Sequence, residues 1–254
     1  MPTATEFGGA SVYGESIAIE YDAFIGSHAP VEPVVEFLRT RAAPGWPVLE
    51  LGAGTGRIAI PLGERGIDVH AIEVSPAMCQ ELARKDVGGL VRTIVGDMSD
   101  FDLGVEFDLI FTVFNSFLFL TSQASQVKCL AAVARHLRPG GSFVIETSIP
   151  DFHLNPSLSR VSVTRGAHGS AMLDVATIDP VAQLIEAVHL LFGPTGMRAV
   201  PLTMRYVSLS ELDLMAAAAG LVLSSRWSDW ALSPVTRHSV SAVSVYRAEG
   251  PERD

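Results

Sequence analysis

Between residues 48 and 147 the chain alternates short, continuous apolar runs with longer stretches whose apolar positions recur every three or four residues. The runs near 48–51, 68–73, 91–95, 107–113 and 142–147 have the length and content of strands covered on both faces, and the stretches 58–65, 75–85 and 123–137 have the period of helices with one apolar side. The punctuation agrees. Gly66 stands where a helix commonly ends in a left-handed residue. Ser75-Pro76 supplies an N-cap and a first-turn proline, and Arg138-Pro139-Gly140-Gly141 closes a helix whose apolar face is expected from Val127, Leu130, Ala131, Ala134 and Leu137. Such alternation specifies an α/β fold, a doubly wound sheet of parallel strands with right-handed crossovers.

The rhythm differs on either side. Residues 1–11 are small and polar and are expected to lack fixed structure. Over 12–25, Tyr13, Ile17, Tyr21 and Phe24 share one side of a helix, as a packed cap or as a lid whose tyrosines face a ligand. A helix over 31–41, with Val34, Val35 and Leu38 inward, stops at Ala43-Pro44-Gly45-Trp46-Pro47. From 160 to 206 no strong helical period appears. Segments near 160–166, 170–178, 182–192 and 197–206 read instead as antiparallel strands inserted into the α/β core, although Ala182, Leu184, Ile185 and Val188 would also serve a helix. Ser208-Leu209-Ser210-Glu211 is a capping box opening a helix through Ala219, and strands over 221–227 and 239–247 complete the chain. The expected organisation is therefore a lid with first helices (1–45), a core (46–150), an antiparallel β insertion (151–207) and a return to the core (208–254).

Composition narrows the classes. With 48% hydrophobic and 18% charged residues the chain is globular. The longest apolar run, 109–120, includes Thr112, Asn115 and Ser116 and is too short to cross a bilayer, and no secretory signal opens the chain, so no membrane association and a cytoplasmic location are expected. Cys79 and Cys129 lie in predicted amphipathic helices without CxxC or Cys/His spacing and read as core thiols, with no metal. A net charge of −10, with no basic stripe, argues against a nucleic-acid partner.

The candidate chemistry begins at Val48-Leu49-Glu50-Leu51-Gly52-Ala53-Gly54-Thr55-Gly56-Arg57. Three alternate glycines between a strand and a helix make a floor of bare backbone that a ligand can approach closely. A dinucleotide fingerprint of the G-x-G-x-x-G type needs glycine where Arg57 stands. Ligands of open α/β sheets lie beyond the carboxyl ends of the strands. There Glu73, about 20 residues after the loop, suits the two hydroxyls of a ribose, and Asp97-Met98 suits an adenine amino group and ring.

Glu50 with its glycines, Glu73, Gly96-Asp97-Met98 and Leu137-Arg138-Pro139-Gly140-Gly141 together resemble the motifs of the class I S-adenosylmethionine (SAM)-dependent methyltransferases over most of 48–147. The resemblance implies a Rossmann-like seven-stranded sheet, SAM as cofactor and S-adenosylhomocysteine (SAH) as product. It also implies cofactor contacts from Tyr21, Glu50, Gly52, Ala53, Gly54, Gly56, Arg57, Glu73, Val74, Asp97, Met98 and Phe114. An NAD-type oxidoreductase shares the strand-two acid and is the weaker alternative.

The N-terminal Tyr-Asp element, Phe114-Asn115-Ser116-Phe117, the β insertion and Met204-Arg205-Tyr206-Val207-Ser208 with Glu211 resemble a narrower group, the bacterial small-molecule N-methyltransferases that modify amino sugars and lincosamide-type antibiotics. That implies a small-molecule amine acceptor, a homo-oligomer, Tyr13, Tyr21 and Phe117 as catalytic residues, and Tyr13, Asn115, Phe117 and Arg205 on the acceptor side. Aromatic faces attract sulfonium and ammonium charge. Asn115-Ser116-Phe117-Leu118 departs from the [DNS]-P-P-[YFW] motif of adenine-targeting nucleic-acid enzymes. An O-methyltransferase would draw on His153, His168, His189 or His238, each in a loop or β segment without a visible partner and read as surface groups. Arg160, Arg165, Arg198 and Arg205 read as scattered solvated charges unless they converge on the phosphate of a nucleotide-linked sugar. A non-catalytic SAM-binding module is the alternative of another class.

Overall fold

The computed structural model describes residues 9–26, 31–149, 158–165, 170–193 and 196–248. Helix α1 (Ala10–Ile17) runs into a π-helical turn (Asp22–Gly26), and α2 (Glu32–Arg39) precedes the sheet. The core follows as β1 (Val48–Leu51), α3 (Ala59–Glu64), β2 (Val69–Glu73), α4 (Pro76–Lys85), β3 (Val91–Val95), β4 (Phe107–Thr112), a 3-10 turn (Ser116–Phe119), α5 (Gln123–His136) and β5 (Leu137–Ser148). Strands β6 (Ser159–Arg165), β7 (Ala171–Asp179), β8 (Leu184–Gly193) and β9 (Gly196–Arg205) form the insertion, and α6 (Leu209–Ala218), β10 (Leu221–Trp227) and β11 (Ser241–Ala248) return to the core.

Seven strands lie in the order β10-β11-β5-β4-β1-β2-β3, with β11 antiparallel to both neighbours. Because side chains alternate across a strand, each central strand feeds two cores. Leu49, Leu51, Ile110, Phe143, Ile145 and Tyr246 pack with α5 and α6. Their neighbours Val48, Leu109, Phe111, Val144 and Val245 pack with α2 and α3 on the opposite face. This two-sided burial explains why the strands read as continuous apolar runs. The order reverses between β1 and β4, which places the candidate ligand cleft at their carboxyl ends.

The insertion is a separate four-stranded meander, β6-β7-β8-β9, and residues 184–193 are a strand within it. Met172, Ala187, Leu191, Val200 and Leu202 bury its inner face against Tyr13, Ile17 and Phe24 of the N-terminal segment and Met78 of α4. The N-terminal segment is therefore sandwiched between insertion and core.

Four local expectations need correction. Ala10 and Ser11 already belong to α1, whereas residues 1–8 lie outside the described residues. The buried side of α5 is Gln126, Cys129, Leu130, Val133 and His136, while Val127 is exposed. The polar members are satisfied there: Gln126 Nε2 donates to the Arg205 carbonyl (3.1 Å), and the His136 ring engages the Ala132 carbonyl (2.8 Å) and the Leu103 amide (3.1 Å). The stretch 138–141 bulges within β5, since Phe107 pairs with Leu137 and Leu109 with Ser142. A Cβ on Gly141 would lie 2.9 Å from the Arg138 carbonyl oxygen and 3.0 Å from that of Asp108. Finally, Ser208 Oγ accepts the Glu211 amide (3.1 Å), but Glu211 does not return the second bond of a capping box because its carboxylate is bound to Arg205, Gln183 and Gln123.

Candidate active site

The chain leaves β1 through a loop in which Gly52, Gly54 and Gly56 have φ of +71°, +55° and +81°. The three glycines face different surroundings. A Cβ on Gly52 would come within 2.7 Å of Ser116 Cβ and one on Gly56 within 2.7 Å of Leu82 Cγ, whereas around Gly54 nothing lies within 4 Å. Gly54 thus opens onto the cleft, and Gly56 is a packing position.

Glu73, at the end of β2, accepts the Gly54 amide on Oε2 (2.8 Å) and the Ser75 amide on Oε1 (2.9 Å), which fixes its carboxylate beside the loop. Burial pushes its pKa up, and the amides of Ser75, Gly54 and Val74 oppose that shift. Glu50 is buried with no hydrogen-bond partner on Oε2. Burial holds its pKa well above the carboxylate range, the Ala59 amide opposes, Glu73 adds to the shift and Arg57 counters it. An orphan buried acceptor calls for a donor. The α-ammonium group and the ribose hydroxyls of SAM are such donors, and two carboxylates near a bare glycine floor suit its cationic end.

A cavity of about 200 Å³ extends from Gly52 and Glu73 over Val74, Gly96, Asp97 and Met98. Asp97 Oδ1 accepts the Ser99 amide (2.7 Å), a turn that holds the side chain at the end of β3. A second cavity of about 240 Å³ shares Gly52, Glu73, Met98 and Phe119 with the first, so the two join into one cleft. It reaches Tyr13 and Tyr21 on the N-terminal segment, Phe114 and Asn115 after β4, and His189, Leu202 and Met204 on the insertion.

Phe114 and Asn115 are consecutive left-handed residues, with φ of 53° and 64°. Non-glycine residues adopt this region only when their surroundings impose it. Here Glu146 Oε2 accepts the Phe114 amide (2.8 Å) while its Oε1 accepts Trp230 Nε1 (3.0 Å), and Asn115 Oδ1 accepts both the amide (2.7 Å) and hydroxyl (3.0 Å) of Ser148. The Arg57 guanidinium lies 4.6 Å over the Phe114 ring.

The N-terminal segment is strapped down at several points. Asp22 accepts from Thr55 Oγ1 (2.7 Å) and Lys85 Nζ (2.7 Å), and Glu15 Oε1 accepts from the Ser75 hydroxyl and the Ala77 amide (each 2.9 Å). Arg198 of β9 bonds the Ser16 carbonyl and pairs with Glu20 (2.8 Å). Burial pushes the Tyr21 hydroxyl up to about 12; Arg57 counters this, and Glu73, Asp22 and Glu50 add to it. Tyr13 is also held well above the usual phenol value, by burial first and then by Tyr21 and Asp174.

Two expected acceptor-side residues lie elsewhere. Phe117 is fully buried in the core beneath the sheet, because the 3-10 turn points it inward and presents Phe119 to the cleft, with its ring centroid 5.1 Å from that of Tyr13. Arg205 is buried between α5 and α6, bonded to Gln126, Gln183 and Glu211. Arg160 and Arg165 lie on edge strand β6, so the four arginines do not converge.

His189, expected at the surface, instead lines the cleft and has partners. Its Nδ1 bonds Asp174 Oδ1, Asp174 Oδ2 accepts from Ser162 Oγ (3.2 Å), and Nε2 lies 3.5 Å from Tyr13 Oη. Asp174 and His189 are direct cross-strand partners. A polar residue on each of two apolar segments was the available signal, but only the register joins them. His238 is exposed beside Arg237, and His153 and His168 lie outside the described residues.

A doubly wound sheet with this motif set and cleft defines a nucleotide-type cofactor enzyme. A family model described as "Methyltransferase domain" matches residues 48–141. The structure of the CcbJ methyltransferase from Streptomyces caelestis aligns with a TM-score of 0.88 and 33% identity, covering 96% of this chain and 100% of that one. A cypemycin N-terminal methyltransferase from a Streptomyces species is 29% identical over 231 residues, 90% of this chain and 94% of its own length. The SAM-bound structure of CalS10, an amino pentose methyltransferase from Micromonospora echinaspora, aligns with a TM-score of 0.67 and 25% identity, covering 88% and 94%. The chain belongs to the SAM-dependent methyltransferases.

Proposed function

We propose that the enzyme transfers a methyl group from SAM to an amine nitrogen of a small-molecule natural product, in antibiotic or amino-sugar biosynthesis. The observation that carries this reading is the acceptor cavity itself. Tyr13, Tyr21 and Phe119 line it beside the glycine loop, and among the described residues no lysine or arginine does. Aromatic faces favour a developing ammonium. Relatives named for a peptide N-terminus and an amino pentose support the choice of nitrogen.

SAM supplies an electrophilic methyl on a sulfonium. In this reading Glu73 accepts from the ribose, Asp97 and Met98 hold the adenine, Gly54 and Glu50 receive the methionine end, and Tyr21 closes over it. The protein's main work is to orient the amine for in-line attack at ~3–3.5 Å and to exclude water. Insertion and N-terminal segment form the walls. The insertion's outward face carries Val161, Val163, Leu173, Val175, Val188 and Leu190, with Val161 and Val163 64% and 66% exposed, which favours assembly of two or more copies through that sheet.

The test is SAH formation from SAM with three probes: a trialanine peptide, the methyl glycoside of a 4-amino-4-deoxy sugar, and catechol. Turnover of either amine supports the proposal. Turnover of catechol alone overturns it in favour of O-methylation, a second reading in which the His189–Asp174 pair would serve as the base for a hydroxyl.

A further inference from the structure

We infer that His189 is the base that takes the proton from the acceptor ammonium before methyl transfer, with Asp174 and Ser162 as its positioning residues. This rests on the nitrogen reading proposed above. An ammonium has no lone pair, so a proton must leave before attack.

The geometry assigns the imidazole its tautomer. Nδ1 faces a carboxylate oxygen and must carry a hydrogen there, which leaves Nε2 as an unprotonated acceptor. Nε2 is the ring atom turned toward Tyr13 and the acceptor cavity. Its 3.5 Å separation from Tyr13 Oη is long for a hydrogen bond, so an incoming N–H donor can compete for it.

The surroundings leave few rivals. From α1 the imidazole meets Tyr13, with Tyr21 nearby; from β7 Asp174, backed by Ser162 of β6; and β9 opposes it with the apolar Val200. Burial keeps both tyrosine hydroxyls protonated at neutral pH. Glu73 is occupied by the Gly54 and Ser75 amides on the cofactor side. The proton passes from the ammonium N–H to the Nε2 lone pair. The products are a neutral amine, whose lone pair is free to attack the methyl carbon, and an imidazolium beside the Asp174 carboxylate. Loss of the second imidazolium proton to water resets the site.

Two measurements on the full-length protein test the assignment. The first needs no acceptor: ¹⁵N NMR of histidine-labelled enzyme saturated with SAH at pH 8, with His189→Asn identifying the resonance. The expected spectrum shows His189 protonated at Nδ1 and bare at Nε2, and loss of that preference in Asp174→Asn. A wild-type ring protonated at Nε2 overturns the proposal. The second is turnover of whichever probe reacts. His189→Asn is expected to lower kcat about 100-fold at pH 7.5, to recover most of it near pH 10 where water deprotonates the amine, and to bind SAH within twofold of wild type. An unchanged kcat at pH 7.5, or an equal loss at both pH values, overturns it. If only catechol is methylated, the nitrogen reading fails by itself, and the tautomer with the His189→Asn loss still reports on the base.

Discussion

Thr55, inside the glycine loop, donates its hydroxyl to Asp22 of the N-terminal segment at 2.7 Å, and the second oxygen of Asp22 pairs with Lys85 at the same distance. The cover of the cleft is thereby tied to its floor and to α4. Because Asp22 is partly solvated, its bonds are worth ~1 kcal/mol rather than the larger value of a buried pair. Asp22→Ala should therefore weaken SAH binding about fivefold in calorimetry with little change in melting temperature. Unchanged affinity would mean that the segment does not help to hold the cofactor.

The glycines of the loop should separate by phenotype. At Gly54 an added side chain enters open space, so Gly54→Val should fold, at a strain cost of ~1–2 kcal/mol for the left-handed φ, and lose SAH binding by at least 100-fold. Gly56→Val would strike Leu82 and Ile60 and should fail first in stability. Thermal melts paired with calorimetry distinguish the two outcomes.

The sheet was legible because strands buried on both faces give unbroken apolar runs, and the motif positions were legible because Glu50, Glu73 and Asp97 stand at the ends or flanks of those runs. Phe117 was misplaced for a physical reason. Phe114, Phe117 and Phe119 lie within six residues, and which ring reaches the cleft is decided by two consecutive left-handed residues held by Glu146 and Ser148, contacts more than 30 residues distant in sequence. The partners of His189 are hidden in the same way, since Asp174 meets it only across a β register. Arg205 drew attention as a charge near an acceptor wall, but Gln126, Gln183 and Glu211 converge on it only in three dimensions.

Glu50 makes stability depend on pH. Its folded pKa lies above its unfolded one, so over the interval between them the folded state binds more protons, and stability falls as pH rises through that interval. Glu73 is shifted the same way and adds to the slope. Glu50→Gln removes one ionisation while keeping the shape. The ligand-free variant should melt higher than wild type at pH 7.5, with the difference shrinking toward pH 4, and should bind SAM more weakly. A melting-temperature difference that does not vary with pH would contradict the assignment.

Arg205 should behave as a structural residue. Removing one partner of a buried ion pair costs ~3 kcal/mol, because the other charge is left without compensation. Arg205→Met should lower the melting temperature by roughly 6–10 °C and leave the KM for the acceptor within twofold. The double variant Arg205→Met, Glu211→Leu should recover part of the stability. A large rise in acceptor KM without loss of stability would return Arg205 to the acceptor site.

Phe117 and Phe119, two residues apart, should divide stability from turnover. Phe117 is wholly enclosed in the core with Leu118, Leu130 and Ile145, so Phe117→Ala leaves a cavity there and should cost ~3–5 kcal/mol. Phe119 lines the proposed acceptor cavity against Tyr13. Phe119→Ala should lower kcat/KM for the amine probe about tenfold, the value of an aromatic wall that contributes ~1–2 kcal/mol toward a desolvated cation. Because Phe119 also borders the adenine-side cavity, SAH affinity should fall by less than threefold. Melts, SAH calorimetry and steady-state kinetics on both variants check the division. A Phe117→Ala enzyme that melts like wild type but turns over slowly would move the acceptor site two residues along the 3-10 turn and reverse the roles of the two rings.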